Sequence, residues 1–141
     1  MRWWIALCLL LISQPALAWK PLVKQRPASG GVTCLVLPSE GDLMIAREVL
    51  GRGEPALDIV HVGFDNQPGS FSHLNIDNVH YFRASSNNID YWLDPEIVGA
   101  LLNGRMAWIE WTDWPSDTKQ QEIDLTGIKH AYDECVKATS P

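Results

Sequence analysis

Residues 94–125 read DPEIVGALLNGRMAWIEWTDWPSDTKQQEIDL, and this stretch decides the fold class because it joins a helix signal to a hairpin signal. Asp94 is a helix-capping carboxylate, Pro95 suits the first helical position, and Asn103-Gly104 is a typical helix end. Between these signals the apolar side chains form one stripe at Ile97, Val98, Leu101 and Leu102. We therefore predict a short helix that lies on a sheet.

The second half of the stretch has the pattern of two strands joined by a polar turn. Residues 106–111 are rich in aliphatic and aromatic side chains, and residues 122–125 alternate acidic with aliphatic ones. Such alternation gives a strand one buried face and one wet face. We predict that the two segments pair as a hairpin around a turn at residues 115–119.

Short strands are also predicted before the helix, and a second helix after the hairpin. Turn residues separate apolar or β-branched runs at 32–37, 43–50, 57–62 and 74–84. Near the end, helical spacing relates Ile128, Ala131, Tyr132 and Cys135. This order of elements predicts an α+β, mostly β fold: a curved antiparallel sheet or small sandwich with two short helices in the C-terminal half.

The first eighteen residues have the layout of a secretory signal peptide. Met1-Arg2 is a short positive end, residues 3–12 are apolar, and Ala16 and Ala18 supply a small-x-small ending. The apolar run is too short to span a bilayer as a mature helix, so we expect no stable membrane insertion. We expect cleavage after Ala18 and a periplasmic or secreted protein. An extended or flexible arm at 19–31 would then precede a single globular domain at 32–138.

The cysteines agree with export. Cys8 lies within the signal, which leaves Cys34 and Cys135 as an even pair in an oxidising compartment. We predict that they form one disulfide, which ties the final helix to the first strand of the domain. In the chain-entropy model, closing so long a loop stabilises a fold by up to about 4–5 kcal/mol.

Charge and composition argue against nucleic acid, anionic lipid and nucleotide as partners. The formal net charge is −6, which disfavours binding to nucleic acid and to anionic lipid headgroups. The chain lacks a Gly-rich phosphate loop, and we expect no cofactor. We therefore look for a protein or glycan partner.

Residues 108–115 are the strongest compositional oddity, because they hold three tryptophans and two carboxylates. On a strand, Trp108 and Glu110 share one face and Trp111 takes the other, while Trp114 lies in or near the turn. One interpretation places Trp108 or Trp111 in the core and lets Trp114 cap the hairpin. The other is a binding surface made by Glu110, Trp111, Asp113 and Trp114, since indoles stack on sugars and anchor protein interfaces.

Tyr91 and Trp92 precede the helix cap, where they either join this binding surface or form a hydrophobic staple onto the helix. Both interpretations use their aromatic rings, and the sequence leaves the two open.

Metal sites and catalytic centres are weakly supported. The candidate metal ligands are His61, His73, His80 and His130 with Asp65 and Asp77, and their spacing matches no metal motif. We interpret these histidines as scattered surface residues and predict no metal. The serines at 70, 72, 85 and 86 lack a G-x-S-x-G context, and no mature cysteine is left unpaired to act as a nucleophile. Glu110 and Asp113 make a poor glycosidase pair, because their directions on a strand and its turn are undefined.

Hydrophobic spacing and glycines at several places suggest a family. The matching positions are the run from Cys34 through residues 57–60, and especially residues 97–104, 106–111 and 123–128 with Ala131-Tyr132. In these positions the chain resembles the invasion-associated locus B family of exported bacterial proteins. The resemblance implies a small periplasmic or surface-associated β-rich domain with no enzymatic mechanism, linked in some pathogens to host-cell entry.

Together these observations predict an exported, non-catalytic envelope protein that binds another protein, in an invasion-associated locus B-like, inhibitor or immunity role. The alternative is a glycan- or peptidoglycan-binding module that uses the same tryptophans. A small periplasmic hydrolase is the third hypothesis.

Overall fold

The computed structural model describes residues 18–63, 65–84 and 90–140. The elements in these ranges are β1 (Trp19–Arg26), β2 (Gly31–Pro38), β3 (Leu43–Val49), β4 (Leu57–Val62), β5 (Phe71–Ile76), β6 (Val79–Ala84), β7 (Asp90–Trp92), α1 (Pro95–Asn103), β8 (Met106–Asp113), β9 (Asp117–Asp124) and α2 (Ile128–Thr139). Neither described helix is long and apolar enough to cross a membrane. Residues 1–17, which hold most of the predicted signal peptide, lie outside the described ranges.

The strands form two antiparallel sheets. The five-stranded sheet has the order β1-β2-β3-β4-β7, and the four-stranded sheet has the order β6-β5-β8-β9. With one helix before β8 and one at the end, this architecture confirms the predicted α+β, mostly β fold. The predicted hairpin is β8 with β9, which pair from Met106 opposite Asp124 to Asp113 opposite Asp117.

One core lies between these elements. Both sheets and both helices contribute fully buried aliphatic side chains to it, among them Val36, Ile45, Val60, Leu74, Leu101, Ile109 and Ile128. Each sheet therefore has an inner face that packs against this core.

Helix α1 follows its local sequence signals. Its N-cap is Asp94, whose Oδ1 accepts a hydrogen bond from the Glu96 backbone N–H at 2.9 Å, and Pro95 is its first residue. Ile97, Val98 and Leu101 are buried, so most of the predicted stripe faces the core, while Leu102 is half-buried. The helix ends at Gly104, as predicted.

Helix α2 is held to the five-stranded sheet by the predicted disulfide. Cys34 on β2 and Cys135 on α2 are both fully buried, with their Cα atoms 5.4 Å apart. Ile128 and Ala131 are buried on the same side of the helix as Cys135. This confirms the disulfide, which is compatible with a protein exported to an oxidising compartment.

Within the predicted extended or flexible arm at 19–31, residues 19–26 form the edge strand β1. They pair along their whole length with β2, from Trp19 opposite Pro38 to Arg26 opposite Gly31. Trp19 is 1% exposed, and its indole N–H donates to the Asp124 carbonyl oxygen at 2.9 Å. The rest of β1 is exposed, which explains its polar, loop-like sequence. The five-stranded sheet thus begins at Trp19, ahead of the predicted domain start at residue 32.

Candidate functional site

The outer face of the four-stranded sheet collects unusual side chains from four strands. On the inner side, Leu74 and Ile109 are opposite each other and fully buried. The neighbouring residue His73 lies opposite Phe82 on one side and Glu110 on the other. Because side chains alternate along a strand, these three side chains point outward. We call the outward set the outer face: Phe71, His73, Asn75, His80, Phe82, Met106, Trp108, Glu110, Glu122 and Asp124.

A two-residue turn sets the register of the β5–β6 half. Asp77 and Asn78 have positive φ angles of 46° and 71°, a conformation that Asp and Asn tolerate and that matches strand twist in tight hairpins. The Asp77 carboxylate accepts hydrogen bonds from the backbone N–H groups of Arg105 and Met106 at 3.0 and 3.1 Å, which fixes the turn against β8. His73 and His80 are thereby brought to the same face of the hairpin.

The β5–β6 half of the outer face is aromatic and open. Phe71 is 52% exposed and Phe82 is 63% exposed, and their ring centres lie 6.2 Å apart with planes tilted by 58°. The two rings thus form one patch. Single exposed apolar residues are common on protein surfaces, whereas contiguous ones indicate a contact site.

His73 and His80 form a hydrogen-bonded pair beside these rings. His73 Nδ1 is 2.9 Å from His80 Nε2, the ring planes differ by 9°, and the ring centres are 5.1 Å apart. With nitrogens this close and centres this far apart, the rings meet edge to edge, almost in one plane. One ring donates a proton to the other, so the pair holds a single proton between the facing nitrogens.

The β8–β9 half of the outer face is acidic. The outward positions of these two described strands carry Glu110, Glu122 and Asp124, and no lysine or arginine. Hydrogen bonds from the backbone N–H and side chain of Thr126 lower the pKa of Asp124, which keeps this carboxylate charged. Trp108, half-buried, lies with Met106 and Glu122 in the wall of a shallow depression of about 380 Å³.

The structure places the residues of the predicted tryptophan surface in different environments, some in the core and some exposed. Trp111 is only 3% exposed, and its indole N–H donates to Asp113 Oδ1 at 2.6 Å, so this indole belongs to the core and offers no contact surface. Asp113 is half-buried and engaged by that bond. Trp114, in the β8–β9 turn, is 59% exposed, and Glu110 lies on the outer face.

Tyr91 and Trp92 belong to strand β7, where they pair with His61 and Val60. Their side chains lie outside the described part of the structure, so the choice between a surface and a staple remains a prediction.

The candidate metal ligands form no cluster of three in the described part of the structure. Within the described residues, no three His, Cys, Asp or Glu side chains converge on a common point as they stand. Asp77 is committed to the backbone of Arg105 and Met106, and His130 is exposed on α2. His61 lies on β4, where burial lowers its pKa.

Sequence reasoning missed the aromatic patch and the histidine pair. A usable signal was present: Phe71, His73 and Asn75 alternate with Ser72, Leu74 and Ile76 before an Asp-Asn turn. The signal is incomplete, because no local pattern shows that β8 lies beside β5.

A second polar cluster joins α2 to the five-stranded sheet. Arg47 Nη1 lies 3.1 Å from both oxygens of Asp58, and the Tyr132 hydroxyl donates to Asp58 Oδ2 at 2.6 Å. Arg47 Nε also donates to Thr139 Oγ1 at 3.0 Å. Burial and the bond to Asp58 raise the pKa of Tyr132 to about 12. With its charges and protons paired internally, the cluster fits a structural role better than a chemical one.

Comparison with known proteins finds no matching family model, no matching curated protein and no matching solved structure. The resemblance to the invasion-associated locus B family stays a prediction.

Proposed function

We propose that this chain is an exported, non-catalytic protein that binds another protein through the outer face of its four-stranded sheet. The observation that carries the proposal is the pair of exposed phenylalanines, Phe71 and Phe82, beside a row of carboxylates. An inhibitor or immunity role, or the interaction role that the family resemblance implies, would use such a surface.

The aromatic half supplies the binding free energy in this proposal. Large aromatic side chains are enriched at the centres of protein interfaces, where a partner excludes water from them. Phe71 and Phe82 are each more than half exposed and close enough to be covered by one partner. Their tilt of 58° gives two separate apolar anchors and not the flat platform that favours stacking on sugar rings. This geometry supports a protein ligand over a glycan.

The acidic half determines which partner is favoured. Glu110, Glu122 and Asp124 lie on the same face, and the chain carries a net charge of −6. A partner with a basic rim around an apolar centre would be steered to this face, and its association would slow as salt screens the charges. We therefore propose a basic protein surface as the ligand.

The experiment is a binding measurement on the oxidised mature chain with fractionated envelope extract, followed by titration of the purified partner. The test variant is Phe71→Ala with Phe82→Ala, and the matched control is Trp114→Ala, which removes an exposed aromatic ring outside the outer face. We expect a saturable one-to-one complex that the double variant weakens by at least about 2 kcal/mol, as anchors do, and that the control retains.

Circular dichroism melts of both variants check that they are folded. A complex that a folded double variant binds as tightly as the parent would contradict the proposal. Binding of peptidoglycan fragments in place of a protein, lost in Trp114→Ala, would replace it with the glycan-binding alternative.

A further inference from the structure

We propose that His73 and His80 form a binding site for a divalent transition-metal ion that accepts imidazole nitrogens, such as Cu(II). The site lies on the outer face, but it requires no partner protein and stands independently of the docking proposal.

The separation of the two nitrogens carries the inference. His73 Nδ1 and His80 Nε2 are 2.9 Å apart. In the hydrogen-bonded pair these two nitrogens point at each other, so each ring must turn before both lone pairs converge on one ion at about 2.0–2.1 Å. Imidazole nitrogens suit Zn(II), Ni(II) and Cu(II), and Cu(II) binds such ligands most strongly in this series. Cu(II) is therefore the probe of choice.

The protonation balance is simple. In the hydrogen-bonded pair, one facing nitrogen carries a proton and the other accepts it. Metal binding requires both facing nitrogens to be bare. The donor ring must therefore take the tautomer with its proton on the outer nitrogen, exchanged through water, while both rings turn their lone pairs toward the ion. A neutral pair binds the ion without net proton release.

Glu110 is the candidate third ligand. It lies on β8 directly opposite His73. The Cβ atoms of residues paired in this way are about 4.5–5.5 Å apart. Its carboxylate accepts a long hydrogen bond, 3.4 Å, from Gln120 Nε2, so rotation toward the histidines costs little. The two nitrogens are already adjacent, and the carboxylate must swing to join them; among the described residues no three such donors converge before it does.

The surroundings suit an ion arriving from solvent. His80 is exposed and His73 is half-buried, so the pair is reachable. The Phe82 ring lies 6.1 Å from the His80 ring and 6.5 Å from the His73 ring, and it covers one flank of the pair. The Asp77–Asn78 turn holds the two strands in register.

The experiment is a Cu(II) titration of the oxidised mature chain in a non-coordinating buffer, followed by electron paramagnetic resonance and calorimetry. The test variants are His80→Gln and Glu110→Gln. The matched control is His130→Gln, which removes an exposed histidine on α2.

We expect one equivalent of Cu(II) with hyperfine splitting from two imidazole nitrogens. Affinity should fall at least about tenfold in His80→Gln, fall less in Glu110→Gln, and not change in His130→Gln. Tight Cu(II) binding that survives His80→Gln, or the absence of saturable binding by the parent, would overturn the proposal. Because the titration contains no partner, its outcome is separate from that of the docking experiment.

Discussion

At the scale of single residues, Gly63 shows how the core is packed. It follows strand β4 at a buried corner, next to Trp111 of β8. Its φ angle is +72°, and a Cβ added there would lie 2.7 Å from Trp111 Cδ1 and 2.9 Å from Asn66 Oδ1. Backbone conformation and space therefore both require glycine. The Trp111 indole packs where a side chain at 63 would be, which is how a large ring is accommodated in the core.

Substituting Gly63→Ala should lower the free energy of unfolding by about 2–4 kcal/mol, because it combines left-handed backbone strain with overpacking. Gly53→Ala is the matched control, since Gly53 has a similar φ of +77° and nothing within 4 Å of an added Cβ. It should cost only the backbone part, about 1 kcal/mol. Urea unfolding of both variants measures the difference, and equal losses would show that packing against Trp111 does not matter.

The sequence predicted the alternation along β8 but not the fate of each ring. Trp111 was predicted to lie on the opposite face from Trp108 and Glu110, and it does. Whether that face is wet or dry depends on what packs on it. Gly63 and Asn66 reach Trp111 from a distant part of the chain, so nothing near residue 111 indicates its burial.

At the scale of elements, the Arg47–Asp58–Tyr132 cluster ties helix α2 to strands β3 and β4. The Tyr132 hydroxyl donates to Asp58 at 2.6 Å and accepts from Arg47 Nη1 at 3.1 Å. The Arg47 guanidinium carbon also lies 5.7 Å from the centre of the Tyr132 ring. The helix is therefore anchored by a polar clamp in addition to its disulfide.

Removing the hydroxyl with Tyr132→Phe should cost about 1–2 kcal/mol at neutral pH, since a hydrogen bond to a charged group is lost. The folded protein raises the pKa of Tyr132 from 10.0 to about 12, so folding holds this proton more tightly. The associated stability is complete below about pH 10 and is lost as the pH rises toward 12. The parent should therefore lose stability more steeply than the variant above about pH 10.

Urea unfolding of the two proteins at about pH 8 to 11 checks this expectation, with Tyr81→Phe as a control that leaves the cluster intact. Parallel stability curves for the parent and Tyr132→Phe would mean that the phenol proton is not coupled to folding.

Two elements show what a sequence can predict at this scale. The signals for α1 are local, so Asp94, Pro95 and Gly104 mark its ends correctly. Strand β1 has no comparable local signal, because its side chains beyond Trp19 are exposed and its backbone pairs with β2 on one side only. An edge strand of this kind is defined by its partner and not by its own pattern.

At the scale of the whole molecule, the site arises from the order of strands in the sheet. The sequence predicted the class of fold and the hairpin that carries Glu110, but β5 had to be placed between β6 and β8 to bring His73 opposite Glu110. Strand order is a global outcome of packing, so the outer face was not predictable from neighbouring residues.

The disulfide acts at this same scale, because it joins β2 to the last helix across 101 residues. The double variant Cys34→Ala, Cys135→Ala should lose up to about 4–5 kcal/mol of unfolding free energy, since the cross-link limits the unfolded chain. Urea unfolding of the oxidised parent and the variant measures the loss, and reduced parent provides a control without mutation. Reduction and substitution should lower stability alike; an equally stable reduced protein would show that core packing and the Tyr132 clamp hold α2 without the cross-link.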